Sequence, residues 1–303
     1  MTLVPTIGLV RGARAFHRGI GAFNVIHVES AEALVQAAED AGRPVILQLS
    51  ENCVRYHGSL EPIARAMLAI AESSSELVAV HLDHAEDEEL ARSAVDLGFG
   101  SVMFDGAALP YAENVAATRR VVAYAHRAGA SVEAELGVIG GKDGAHAPGV
   151  RTDPGEAAAF SAETGVDALA VAVGSSHAMT ERTASLDLGL IAAIAEAVAI
   201  PLVLHGSSGV PDETLQAAIR AGMTKINVST HLNAAFTGAV RATLDEQPAL
   251  VDSRRYVAAG RDAMAREAAR LVGLLSPDLR SPDTDSLDIR TTDLPATEGS
   301  DAP

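Results

Sequence analysis

The 303-residue chain has a single cysteine, Cys53, so no internal disulfide can brace the fold. That scarcity suits a reducing cytoplasm. Positive charge is also in short supply: 23 lysines and arginines stand against 40 aspartates and glutamates, a formal charge of -17. Such a surface disfavours nucleic acid and anionic membranes, and neither is an expected partner. An anionic ligand therefore needs a local positive device, such as a metal, a helix N-terminus or a few placed cations. No apolar run is long enough to span a bilayer. The opening stretch MTLVPTIGLVRGARAF is broken by Pro5 and Gly8 and does not read as a signal peptide. A soluble cytoplasmic protein is the expectation.

What the chain does have is repetition. Eight short β-type runs begin at residues 21 (GAFNVIHV), 44 (PVILQLS), 77 (LVAVHLDH), 101 (SVMFDG), 131 (SVEAELG), 167 (DALAVAVG), 201 (PLVLHGSSG) and 225 (KINVST). Segments of helical spacing lie between them, SAEALVQAAEDAG and PDETLQAAIRAG among them. Strand and helix in alternation imply a parallel sheet covered by helices, either open and doubly wound or closed. Eight units in roughly 210 residues match the α/β class in its closed form, the (β/α)8 TIM barrel. One domain is expected over 1–274, opened by a helix near 6–18 and followed by an extra C-terminal helix, DSRRYVAAGRDAMAREAARLVGLL. Residues 275–303 are rich in Pro, Ser, Thr and Asp and poor in large apolar side chains, so an acidic, disordered tail is expected.

In such a barrel the chemistry sits at the C-terminal strand ends. Those ends carry Asn24 and His27 (strand 1), Gln48 and Ser50 (strand 2), Asp83 and His84 (strand 3) and Asp105 (strand 4). They continue with Glu133 and Glu135 (strand 5), Ser175, Ser176 and His177 (strand 6), His205 (strand 7), and Asn227, Ser229 and Thr230 (strand 8). A single strand-end histidine is commonly structural. Three at one height, His84, His177 and His205, suit a catalytic Zn²⁺ or a similar divalent ion with an open position. Strict alternation would send Asp83 and His84 to opposite faces, so the backbone is expected to leave the strand there. Glu133 and Glu135 share the inward face, where they need a cation or donors; a salt bridge with Lys225 is the structural alternative. HGSSGVPDETL after strand 7 and NVSTHLNAAF after strand 8 place Gly, Ser and Thr where barrels hold phosphate. The Gly-rich stretch 137–154 is long for such a loop and reads as a lid or as a tolerated insertion.

Together HLDH, SVMFDG, VEAELG, VGSSH, LHGSSG and KINVST, in this order, resemble the class II ketose-bisphosphate aldolases, which act on fructose 1,6-bisphosphate or tagatose 1,6-bisphosphate. The resemblance implies a metal-dependent lyase that yields dihydroxyacetone phosphate and an aldehyde. It implies that His84, His177 and His205 bind Zn²⁺, with Glu135 as a further metal partner and Asp105 and Glu133 standing behind the ligands. Co²⁺, Mn²⁺ or Fe²⁺ could replace Zn²⁺, and a monovalent cation could accompany it. Asp83 would be the acid/base at the C4 hydroxyl, and an acidic lid residue would take the C3 proton, a role open here between Asp143 in the central lid and Asp153 at its end. Asn227, Gly206, Ser208, Ser229, Thr230 and the Ala178 N–H would hold the phosphorylated half, with Asn24 and Ser50 lining the mouth. Arg261 would serve the distal phosphate, and a homodimer or homotetramer would form. The chain departs from the family pattern at Asn52, Cys53, Ala107 and Ala178, and at Thr180, Glu181 and Arg182. These departures leave open an aldolase for a different ketose phosphate, or a non-catalytic phosphosugar-binding protein on the same scaffold. Metal-assisted hydrolysis at the three-histidine site is a third reading.

Overall fold

Each of the eight apolar runs contributes one parallel strand, and the strands close in chain order into a barrel. The computed structural model describes residues 2–136, 151–177 and 179–276. The strands are β1 (Ile20–Asn24), β2 (Val45–Ser50), β3 (Val78–Ala85), β4 (Ser101–Phe104), β5 (Ser131–Leu136), β6 (Ala168–Val171), β7 (Leu202–Leu204) and β8 (Met223–Val228). The last pairs back onto the first, with Ala22 opposite Asn227. Because both sheet faces are covered, the strands read as continuous apolar runs rather than alternating ones. Along β2 every residue but Ser50 is buried.

The helices are α1 (Thr6–Ala15), α2 (Val28–Ala41), α3 (Glu51–His57), α4 (Glu61–Ser73), α5 (Glu88–Asp96) and α6 (Tyr111–Arg127). They continue with α7 (Pro154–Thr164), α8 (Leu188–Ala197), α9 (Asp212–Ala221), α10 (Thr230–Glu246) and α11 (Ser253–Leu275). Local chemistry sets their ends. Asp153 accepts from the N–H groups of Gly155 and Glu156, and Pro154 occupies the first helical position of α7. His27, expected as the end of strand 1, instead caps α2: its ring accepts from the Ser30 N–H while the Ser30 hydroxyl takes the His27 N–H. The first strand therefore stops at Asn24.

The core has an inside and an outside. Between strands and helices lie Leu34, Leu47, Leu82, Phe104, Phe160 and Ile191, among many others. Inside the barrel, α1 caps one end, with Val10 packed on Ile20, Ala22, Ile46 and Ala79. The extra helix α11 packs along α2 and α10 and ends one residue beyond the expected domain boundary. No helix among the described residues is long and apolar enough to cross a membrane.

Candidate active site

The strand-3 pair is placed by a bulge. Leu82 lies opposite Val102 and Ala85 opposite Phe104, so β3 uses one residue more than β4 over the same stretch. His84 absorbs the extra residue at φ +50°, in the left-handed region. Both Asp83 and His84 thereby reach one cavity. The chain does not leave the strand, as expected from alternation, but runs on through the bulge to Ala85.

His84, His205 just past β7, and His177 beyond β6 converge, with their facing ring nitrogens all within 4.8 Å of one another. The ring pairs are steeply tilted, at 82° for His84 and His205, 73° for His84 and His177, and 78° for His177 and His205, so edges rather than faces meet. Glycine makes the approach feasible. Gly206, at φ +67°, abuts the backbone of Ser176, where an added Cβ would lie 2.7 Å from the carbonyl. The residues following one histidine and preceding the other are thus in direct backbone contact.

Carboxylates aim two of the rings. Asp105 Oδ2 lies 2.7 Å from His84 Nδ1, which turns His84 Nε2 towards His205 Nδ1 at 2.9 Å. Glu133 Oε1 lies 2.9 Å from His205 Nε2, and its other oxygen lies 2.8 Å from Lys225 Nζ. β8 begins two residues before the expected KINVST run, and Lys225 is buried inside the barrel. The expected functional position of Glu133 and its structural alternative are both present in one side chain.

The donor set fits a divalent cation. Burial, then the charge on His84, holds the His205 pKa well below the usual histidine range, so its ring is neutral. With Nε2–H donated to Glu133, the Nδ1 lone pair points into the cluster. For His84, burial lowers the pKa, but Asp83, Asp105 and Glu135 outweigh it and push it up to about 9. So much negative charge around one imidazole calls for a positive charge, which a proton or a metal ion can supply. Glu135 Oε2 lies 4.0 Å from His84 Nδ1, and His84, Asp105 and Glu135 form a second group with ligand atoms within 4.8 Å.

Asp83 stands beside the cluster in a frame of amides. Asn24 Nδ2 donates to Oδ2 at 3.1 Å, Gln48 Nε2 reaches the same oxygen at 3.3 Å, and Asn227 Nδ2 reaches Oδ1 at 3.5 Å. Burial alone would raise the Asp83 pKa; the charge on His84, with smaller help from Lys225, more than offsets it and keeps the group ionised. The cavity above, about 260 Å³, is lined by Asn24, Ser50, Asp83, the three histidines, Gly206, Ser208, Asn227, Ser229 and Thr230. Glu51, Asn52, Arg55 and Glu86 also line it. Sequence reasoning did not assign these four to the site. For Glu51, Asn52 and Arg55 the available signal was that their segment follows strand 2 directly at the barrel mouth; Glu86 lies just past β3.

Ser208 differs from expectation in detail: its hydroxyl already accepts from the N–H groups of Ser229 and His231, at 3.2 Å each. Arg261 lies apart from the cavity of its own chain, paired with Glu32 and Asp262 on the surface. Asp143, Ala178 and most of the 137–154 stretch lie outside the described residues, as do 277–303 of the tail.

The family model for class-II fructose-bisphosphate aldolase matches residues 4–277. The chain belongs to that family. A fructose-bisphosphate aldolase of Geobacillus stearothermophilus is 40% identical over 268 residues, covering 87% of this chain and 93% of that protein. Among solved structures, the YdjI aldolase of Escherichia coli K12 superposes with a TM-score of 0.79 at 31% identity, covering 90% of this chain and 97% of its own. The fructose-bisphosphate aldolase of Campylobacter jejuni shares the fold, with a TM-score of 0.73 at 21% identity over 88% of this chain and 93% of that one. This class II aldolase is thus a lyase on a TIM barrel, and its family is generally metal-dependent.

Proposed function

We propose that this aldolase reversibly cleaves a phosphorylated ketose, of the fructose or tagatose 1,6-bisphosphate kind, to dihydroxyacetone phosphate and an aldehyde. The observation that carries this reading is one cavity that holds three converging imidazoles, an ionised Asp83 and the Gly206–Ser208 and Ser229–Thr230 turns. His84, His177 and His205 would hold the ion, His84 giving up its proton as the ion takes its place, and three imidazole nitrogen donors favour Zn²⁺, with Co²⁺, Mn²⁺ or Fe²⁺ as substitutes. When bound, the ion supplies the Lewis acid that polarises the ketose carbonyl.

The chain's own residues do the rest. In the cleavage direction Asp83 takes the C4 hydroxyl proton as the C3–C4 bond breaks, and in condensation it returns that proton. Asn24, Gln48 and Asn227 hold the carboxylate so that its lone pair stays aimed. The N-terminus of α10 and the Gly206–Ser208 turn give an acidic protein a place for the donor phosphate. Since Ser208 satisfies two N–H groups of that terminus itself, phosphate either settles beside its hydroxyl or displaces it.

The test is to load the protein with Zn²⁺, add dihydroxyacetone phosphate in D₂O and follow deuterium entering C3 by proton NMR. Metal-dependent exchange is expected, and His84→Ala, His177→Ala and His205→Ala should lose exchange and bound metal together. Retention of both in all three variants would sink the reading.

A further inference from the structure

The stretch after His177 departs from the family pattern and lies across the turn Ser207–Gly209, the short helical turn that follows β7. The Ala184 N–H donates to the Gly209 carbonyl at 2.8 Å. Arg182 goes further. Its Nε and Nη2 both donate to the Val210 carbonyl, at 2.9 and 2.6 Å, and Nη2 lies 2.5 Å from Asp212 Oδ1. Val210 closes the turn and is fully buried; Asp212 opens α9.

The contacts continue beyond Asp212. Arg270 of α11 reaches Asp212 Oδ2 at 2.6 Å and Glu267 Oε1 at 2.7 Å, and the same glutamate oxygen lies 2.6 Å from His231 Nε2. His231 is in the first turn of α10, next to Thr230, and its N–H returns to the Ser208 hydroxyl. The loops after β6, β7 and β8 are thereby joined in one circuit around the turn that carries Ser208. Arg182, Asp212, Arg270 and Glu267 all lie outside the cavity lining.

We propose that Arg182 is a positioning residue for phosphate recognition, and the proposal rests on the aldolase reading above. By strapping the Val210 carbonyl and Asp212, it keeps Gly206 and Ser208 converged on Ser229 and Thr230. The preference for a phosphorylated over an unphosphorylated donor then depends on a side chain that does not touch substrate. A fork-shaped guanidinium suits this task, because two donors on one carbonyl and a third contact on a carboxylate fix its plane. Glutamine at the same place is shorter and uncharged, and cannot make all three contacts.

The experiment compares Arg182→Gln and Arg182→Lys with the parent, all loaded with Zn²⁺, on C3 deuterium exchange of dihydroxyacetone phosphate and of unphosphorylated dihydroxyacetone. In Arg182→Gln the KM for dihydroxyacetone phosphate should rise about tenfold, the usual scale for one lost charge-assisted bond, with kcat nearly unchanged. Exchange of dihydroxyacetone should be unaffected, and Arg182→Lys should recover part of the loss. Calorimetric binding of inorganic phosphate to the same proteins reads the turn without turnover and should weaken in parallel. Equal losses on both donors would make Arg182 merely structural, and unchanged KM and phosphate binding would remove its role; either overturns the proposal. A parent protein that binds phosphate but exchanges neither donor would instead count against the aldolase reading, while the phosphate comparison still decides for or against Arg182.

Discussion

Replacing Lys225 by methionine should destabilise the barrel severely, and a second substitution should repair it. Lys225 and Glu133 are 1% and 3% exposed, and their charged atoms lie 2.8 Å apart. Lys225→Met strands the Glu133 carboxylate in the barrel interior with the His205 ring at 2.9 Å and His81 at 3.8 Å, neither a full positive charge. Breaking a buried pair in this way costs about 3–5 kcal/mol. For a chain of this size that is a fall in Tm of roughly 5–9 °C. Lys225→Met with Glu133→Gln removes both charges and should return to within about 1–2 kcal/mol of the parent. Thermal melts of metal-stripped protein, followed by circular dichroism, read this without the contribution of bound metal. Metal titration should show a different order: the double variant, stable again, should still bind metal about 10–100-fold more weakly, because His205 has lost the carboxylate that aims it. A Lys225→Met protein that melts with the parent, or a double variant as unstable as the sum of its singles, would refute the reasoning.

Asp83→Asn should keep metal, since Asp83 is not one of the three histidines, and lose about 10²–10⁴ in the cleavage rate, measured in a coupled assay for triose phosphate. Cys53, 4% exposed and with its thiol pKa pushed up by burial to about 11, should resist iodoacetamide at pH 8, where about a thousandth of it is thiolate, and react fully in urea. Asp212 and Glu267 are buried in part, which alone would raise their pKa values, but bonds from Arg270 first, then Arg182 or His231, hold them below the ordinary range. Their contribution to stability is complete above the unfolded carboxylate value near ~4 and is lost as pH falls through the depressed folded values, so Arg270→Met should flatten acid unfolding between about pH 5 and 2. An acid titration as steep as the parent's would contradict this.

The barrel was legible because each strand is buried on both faces and therefore spelled as an apolar run between turn residues. The site was legible because βα units force every polar strand-end residue to one rim. What escaped depends on contacts distant in sequence. The one pointer to ENCVRYH as a wall of the cavity was its place directly after strand 2, since a seven-residue helix has too little periodicity to stand out. His27 looked like a strand end because the apolar residues Val25 and Ile26 precede it; its capping bond with Ser30 decides otherwise. Lys225 was legible as the structural partner of an inward carboxylate, but which of Glu133 and Glu135 it meets is decided only across the barrel, where it pairs with Glu133. Ser208 was expected at the phosphate turn, but that its hydroxyl already takes the N–H groups of Ser229 and His231 depends on the packing of α10 against that turn.

The bulge in β3 has one more effect. Asp83 and His84 are neighbours in the chain, so the spacing between the carboxylate proposed to handle the proton and one imidazole proposed to hold the ion is fixed by covalent bonds. His177 and His205, by contrast, meet them only through the packing of distant strands and the Gly206 contact. Heating, dilute denaturant or a core substitution will loosen the second kind of spacing well before the first. On the proposed mechanism, damage to this enzyme should therefore show itself as escape of the ion, with Asp83 still stationed beside His84.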